Sequence, residues 1–523
     1  MNHENLIAPI NYNIVDEFEK HSNKGEKLAL IIQEETGQQT RYTYEELLQQ
    51  ANQVANVFTA HGLKKGDVIL IMLPRCIEAY VSYIAALKAG LVIIPSSELL
   101  RAKDIDYRLI HSEAKALIVK EQFVEEFEHV QKLENVTSFI VGEEKTNWHS
   151  LMKLAEQQST NFENVPTTSN DLAFLAYTSG TTGNPKGVMH SHGWGYAHLR
   201  TAAAAWLGVK DGDIVWATAA PGWQKWIWSP FLAVLGSGAT AFVYKGKFEA
   251  NQYLKNIETQ QINVLCCTPT EYRMMAKLNN LGDYNLSSIR SAVSAGEPLN
   301  REVIETFNNL HNIVVRDGYG QTENTLLIGT LLDTELRPGS MGKPTPGNVI
   351  ELINEYGEIV PVGEVGDIAV HKSTPALFKG YFKDMERTAI QYRGDWYVTG
   401  DRATKDEDGY FWFEGRNDDI IISSGYTIGP FEVEDALTKH PAVQECAVVA
   451  SPDEIRGNVV KAFIVLKDAT LKEKPGMIEE LQNYVKELTA PYKYPRIIEF
   501  LDELPKTLSG KIRRVELRLK ELK

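Results

Sequence analysis

At 523 residues, with 43% hydrophobic and 24% charged side chains, the chain is an ordinary globular sequence too long for one core, and roughly two to four domains are expected. A formal charge of −15 excludes a general binder of nucleic acid or of anionic membrane surfaces, so anionic ligands would need local basic patches. No apolar run approaches the ~20 residues that span a bilayer. The opening MNHENLIAPI carries no signal-peptide pattern, and four cysteines without metal-ligand spacing fit a reducing, cytoplasmic setting.

In chain order, Thr43 followed by Glu46 reads as a capping box, and Leu47, Ala51, Val54, Ala55 and Phe58 form one apolar helix face. GLKKGD turns the chain into a strand, VILIML. A helix from about Ile77 to Gly90 and a second strand, LVIIP, complete a parallel βαβ unit. Helical and strand-like runs alternate to about residue 330. Within them, Cys266 and Cys267 sit in an apolar strand-like run and read as buried thiols. His190 and His192, without acidic or cysteine companions, read as strand or loop residues rather than metal ligands. From about Gly342 to Asp401, short strands punctuated by Gly and Pro predict a β-rich part. A helix around Phe431 to Lys439, strands VVAS and VVKAFIVL, and a helix near Ile478 to Leu488 then predict an α+β domain. The tail from Leu504 to Lys523 holds seven Lys or Arg against two Glu, and on charge alone a solvated helix and an anion-binding patch are equally compatible.

The segment of densest chemistry is YTSGTTGNPKG, Tyr177 to Gly187. Its glycines, Gly180 and Gly183 among them, let a backbone wrap an anion and present N–H groups. Thr178, Ser179, Thr181 and Thr182 add hydroxyl donors, and Lys186 adds a positive charge. It is not a Walker A loop, because Lys186 is followed by Gly187 and the glycine spacing differs.

With this loop and the motifs that follow it in order, the sequence resembles the adenylate-forming superfamily of acyl-CoA synthetases, adenylation domains and firefly-type luciferases. Those motifs are SAGEP (294–298), DGYGQTE (317–323), YVTGD (397–401), GRNDDIIISSGYTIGPFEVE (415–434) and PKTLSGKI (505–512). The nearest likeness is to medium-chain acyl-CoA synthetases, through APYKYPR (490–496) and SPDEIRG (451–457).

The resemblance implies an α/β fold: an N-terminal domain, 1–417, of two α/β-sheet subdomains plus a small β-barrel-like subdomain, then a small mobile α+β domain, 418–523. It implies an acid activated by ATP as an acyl-AMP and then transferred to CoA. Lys511 would bridge carboxylate and phosphate. Asp401 would hold the ribose hydroxyls and Arg416 the ribose and phosphate. Gly296, Glu297 and Pro298, with Asp317, Gly318 and Tyr319, would form the adenine slot, continued by Gly320 and Gln321. Thr322 would touch the α-phosphate and Glu323 would hold Mg²⁺, a hard cation suited to oxygen ligands. Asp418 matches the hinge about which the small domain rotates between half-reactions.

For the second step the resemblance implies a pantetheine tunnel lined by Ser424, Gly425 and Tyr426, with Arg456, Lys493, Tyr494 and Arg496 as CoA contacts. Thr427 stands where close relatives carry Arg. Trp223 and Gly320 would line the acyl pocket. Acetyl-CoA synthetases have a Trp at the latter position, so a glycine implies an open pocket and poor use of acetate. Short-to-medium aliphatic, branched and simple aromatic acids all remain compatible. A protein that loads a carrier protein, and a non-enzymatic sensor of nucleotide, are the rival readings. A homo-oligomer is compatible with either.

Overall fold

The computed structural model describes residues 3–521 apart from 23–24, 132, 179–184, 297–298, 300, 417–418, 424–425, 454–455, 490 and 507–510. Two large sheets form the N-terminal part. In the seven-stranded sheet, the parallel strands Val68–Met72, Val92–Pro95, Ala116–Lys120, Thr137–Val141 and Leu172–Thr178 are bordered by Lys186–Ser191, which runs antiparallel to Leu172–Thr178. In the nine-stranded sheet, Leu28–Gln33, Thr240–Tyr244, Ile214–Ala217, Val264–Cys267, Ser291–Ala295 and Val315–Gly320 are parallel, and the outer strands turn antiparallel.

The expected βαβ unit is Val68–Met72, helix Ile77–Lys88 and Val92–Pro95. That helix is buried from Ala79 to Lys88, because helix and sheet close on it from both sides in the largest core cluster. Burial on nearly all faces leaves no polar stripe and is why its sequence is mostly apolar, with Ser82 and Lys88 buried among the apolar residues. Helix Tyr44–Ala60 begins with the predicted capping box: Thr43 Oγ1 accepts from the Glu46 N–H, and the Glu46 carboxylate accepts from the Thr43 N–H.

The β-rich part is an antiparallel sheet of Ile350–Ile353, Gly366–His371, Trp396–Lys405, Tyr392–Arg393 and Phe411–Arg416. It continues beyond residue 401, because the chain turns at Asp406–Gly409 and Phe411–Arg416 pairs back on Trp396–Lys405.

The C-terminal part holds the hairpin Ile421–Ser423/Tyr426–Ile428 and a sheet of Val443–Asp453, Gly457–Leu466 and Ile497–Phe500. Helices Pro430–Thr438 and Met477–Leu488 close its core around Val433, Leu437, Leu481 and Val485. The basic tail becomes helix Arg514–Glu521, docked through buried Leu517. Its cations are committed internally: Arg514 pairs with the buried Glu434, Arg518 with Asp419, and Lys520 with Glu499. The helical part of the tail is therefore docked and ion-paired rather than free. Among the described residues no helix is long and apolar enough to cross a membrane.

Candidate active site

The glycine-rich loop connects two antiparallel strands in which Thr178 faces Lys186. The loop residues Ser179, Gly180, Thr181, Thr182 and Gly183, the motif residues Glu297 and Pro298, the hinge position Asp418 and the tunnel residues Ser424 and Gly425 lie outside the described residues. Segment 379–382 zips onto the second strand, with Phe382 N–H donating to Gly187 O and Lys379 N–H to Met189 O. This brings Tyr381 under Lys186, whose ammonium lies 5.0 Å from the ring centroid. The Tyr381 hydroxyl donates to Glu323 Oε1 at 2.9 Å, so one tyrosine couples the loop lysine to the expected metal carboxylate. Burial, reinforced by the Glu323 charge, pushes the Tyr381 phenol well up and keeps it a donor.

Val315–Gly320 ends beside Ser291–Ala295, with Ala295 opposite Gly318. Gly296 follows at φ +114°, a left-handed region that favours glycine. A Cβ placed there would lie 3.8 Å from Lys511 Nζ, so the C-terminal lysine reaches the end of these strands. Asp317 sits beneath, its carboxylate accepting from the Gly318 N–H, and burial pushes its acid up to about 7.

Asp401 is buried, and its Oδ2 accepts from the Tyr319 hydroxyl and from Gln321 Nε2 at 2.7 Å. Burial, with the Asp401 charge behind it, drives the Tyr319 phenol upward, which again makes it a donor. The exposed Arg416 is opposite Asp401 in the strand register. Tyr319, Gln321, Asp401 and Arg416 thus come together.

The turn after Val315–Gly320 is gripped by residues that the sequence reading did not assign. His190 meets the Thr322 carbonyl through Nε2 at 2.5 Å, Trp194 Nε1 donates to the Asn324 carbonyl at 2.9 Å, and His198 Nδ1 meets Thr325 Oγ1 at 2.7 Å. The Trp194 ring contacts both imidazoles, tilted against His190 with centroids 4.6 Å apart and stacked on His198 at 5.2 Å. The recurrence at intervals of four in MHSHGWGYAH is the signal that a helical face would give. Burial lowers both histidines to about 4, so they are neutral. His192 instead accepts the Ile14 N–H.

At Gly320 the sequence reading needs correction. A Cβ there would lie 2.2 Å from the Thr325 carbonyl oxygen, so the glycine is required by the close approach of the returning strand, and its bareness does not by itself open a pocket. Trp223 is 38% exposed at the start of the turn Gln224–Trp226, whereas Trp226, Trp228 and Phe231 are buried in the core.

The expected CoA contacts do not line the same place. Lys493 pairs with Glu432, and Arg496 Nη1 donates to the Tyr494 hydroxyl at 2.9 Å. The Arg456 N–H donates to Asp453 Oδ1 at the Val443–Asp453/Gly457–Leu466 turn, and Tyr426 opens a strand opposite Ser423. All belong to the C-terminal part.

One carboxylate flanked by Thr322 is the donor set expected where Mg²⁺ is held jointly with phosphate oxygens rather than by a protein cage. Among the described residues no group of three or more His, Cys, Asp or Glu could hold a metal alone.

Residues 18–382 match the AMP-binding enzyme family, and residues 432–511 match the AMP-binding enzyme C-terminal domain. The chain is 60% identical over 518 residues to uncharacterized acyl-CoA ligase YtcI of Bacillus subtilis (strain 168), covering 99% of this chain and 98% of that protein. It is 41% identical over 520 residues to mitochondrial acyl-coenzyme A synthetase ACSM3 of Rattus norvegicus, covering 97% and 90%. The solved structure of the anthranilate CoA ligase AuaEII with anthranoyl-AMP aligns at a TM-score of 0.90 and 29% identity, over 100% of this chain and 99% of that one.

Proposed function

The chain belongs to the AMP-binding enzyme family, and on that premise we propose that it is an ATP-dependent acid–CoA ligase. It converts a carboxylic acid, ATP and CoA to acyl-CoA, AMP and pyrophosphate through an acyl-adenylate. The observation that carries this reading is the arrival of Lys511 beside Gly296, which joins two motifs distant in sequence at one strand end.

In the first step the carboxylate oxygen attacks the α-phosphorus and pyrophosphate leaves. Two anions must meet, so positioned cations and donors supply most of the help. Lys511 neutralises the carboxylate as it approaches the phosphate, with Thr322 beside it. Lys186 and the glycine-rich loop receive the pyrophosphate. Asp401, already taking two protein donors on Oδ2, orients the ribose. Glu323, with Tyr381 behind it, would hold Mg²⁺, which would offset phosphate charge. In the second step the C-terminal part turns about Asp418. Lys511 leaves, and Ser424, Gly425 and Tyr426 admit the thiol, with Arg456, Lys493, Tyr494 and Arg496 reaching CoA. Lys493 must first leave Glu432.

The acid is of short-to-medium chain. An aryl acid is the second reading, favoured by the likeness to the anthranilate CoA ligase. Pyrophosphate release and thioester formation, followed with a panel of aliphatic, branched and aryl acids with and without CoA, test the proposal. Acid-dependent pyrophosphate release together with an acyl-CoA product is expected. Pyrophosphate release that never yields a thioester would contradict it and favour a carrier-loading adenylation protein.

A further inference from the structure

Behind the strand that carries the 317–323 motif lies an ammonium group with no acceptor among the described residues. Lys225 Nζ is shielded from solvent, and among the described residues nothing accepts a hydrogen bond from it. Two indoles flank it, their ring centroids 4.7 Å (Trp206) and 5.6 Å (Trp228) away. A cation over aromatic faces recovers part of its lost hydration but makes no hydrogen bond. Trp228 Nε1 is likewise buried and unpartnered, as is the side-chain amide of Gln224 on the same turn. Buried donors are nearly always satisfied, and a buried charge without a partner is costly. A cluster of them, rich in donors, is what remains where a ligand supplies the acceptor.

The position ties this cluster to the candidate active site. Trp206 Nε1 donates to the Asp317 carbonyl, and its ring occupies the space beside Gly318, where a Cβ would lie 2.6 Å away. Gly318 pairs with Ala295, the neighbour of Gly296 where Lys511 arrives. Trp228 is anchored by its carbonyl to His198, whose other nitrogen meets Thr325 Oγ1. Both indoles come from π-helical segments, Leu199–Leu207 and Ile227–Ala233. Such widened turns recur at functional sites.

We propose that Lys225 is a specificity-determining residue that receives an oxygen acceptor, a hydroxyl or a second carboxylate, at the far end of the acid substrate. The inference rests on the ligase reading above and sharpens its substrate class. A plain alkyl chain would leave the ammonium unpaired in a site that its own binding dries. An acid ending in an oxygen would complete the hydrogen bond.

The test uses the full-length protein and length-matched trios: alkanoic acids, their ω-hydroxy acids and their dicarboxylic acids, with acyl-CoA formation as readout. Wild type should prefer an acceptor-bearing acid by about ten- to hundred-fold in kcat/KM, the range expected of a hydrogen bond to a charged group. The hydroxy and dicarboxylate arms identify which acceptor is taken. Lys225→Met should abolish or reverse the preference, mainly through KM for the acid, and leave Tm unchanged or raised because a buried charge is gone. Lys225→Gln, which keeps a donor, should retain part of the preference for the hydroxy acid. Wild-type preference for the alkanoate in every trio overturns the inference and leaves the ligase reading standing. So does a preference that survives in Lys225→Met. Turnover of no acid in any trio overturns the inference together with the short-to-medium-chain reading, and leaves the aryl-acid ligase.

Discussion

Tyr381 does two jobs from one side chain: its ring lies beneath the Lys186 ammonium and its hydroxyl holds the Glu323 carboxylate. The two can be separated. Tyr381→Phe keeps the ring and removes the hydrogen bond, so Lys186 stays placed while Glu323 is released. Loss of a hydrogen bond to a charged acceptor corresponds to roughly ten-fold or more. We expect a rise of that order in KM for ATP, measured by acid-dependent pyrophosphate release, with KM for the acid unchanged. An unchanged response to ATP would remove Tyr381 from the account. Single residues also mark what was unreadable in the chain. Gly320 looks like an open pocket in the sequence, because nothing there reveals that the Thr325 carbonyl returns within 2.2 Å of where a Cβ would be.

Among the elements, strand Lys186–Ser191 and helix His192–His198 supply the rings that hold the 322–325 turn. His190→Asn should therefore slow adenylation, whereas His192→Asn, which loses only its bond from Ile14, should lose stability without that effect. Equal adenylation per folded molecule in both variants would make His190 purely structural. The same histidines set a pH dependence. His190, His192 and His198 titrate near 4 in the folded chain against an ordinary 6.5, because burial disfavours the charged form. Below 6.5 the unfolded chain takes up protons that the folded chain refuses. Stability is thus full above 6.5 and falls as pH drops toward 4. Thermal melts should show Tm declining across that window, with a shallower slope in each single His→Asn variant.

Local signals made several elements legible. The Thr43–Glu46 capping box, the 68–95 βαβ unit and the buried Cys266–Cys267 strand follow from spacing alone. Long-range partners were not legible. The basic tail reads as free charge until Glu434, Asp419 and Glu499 fold against it. Strand Phe411–Arg416 falls beyond the β-rich part expected from the sequence, about 342–401, and joins it only by pairing with Trp396–Lys405. The histidine column hides because its partners are backbone carbonyls and one hydroxyl more than a hundred residues away.

At the scale of the whole molecule, the C-terminal part sits on the β-rich sheet through Phe431, whose ring lies 4.9 Å from that of Phe413, with Arg514 over Phe431 at 4.4 Å. This arrangement places Lys511 at Gly296 and leaves Lys493 on Glu432, which under the proposed function is the arrangement for acid activation rather than thiol transfer. A chain that serves two steps with two arrangements, as proposed, would lose them separately. The most direct test is Lys511→Ala assayed in each half-reaction. Acid-dependent pyrophosphate release should collapse, while acyl-CoA formation from preformed acyl-AMP and CoA should proceed at close to the wild-type rate. Equal loss of both half-reactions, or adenylation that survives without the lysine, would contradict the account.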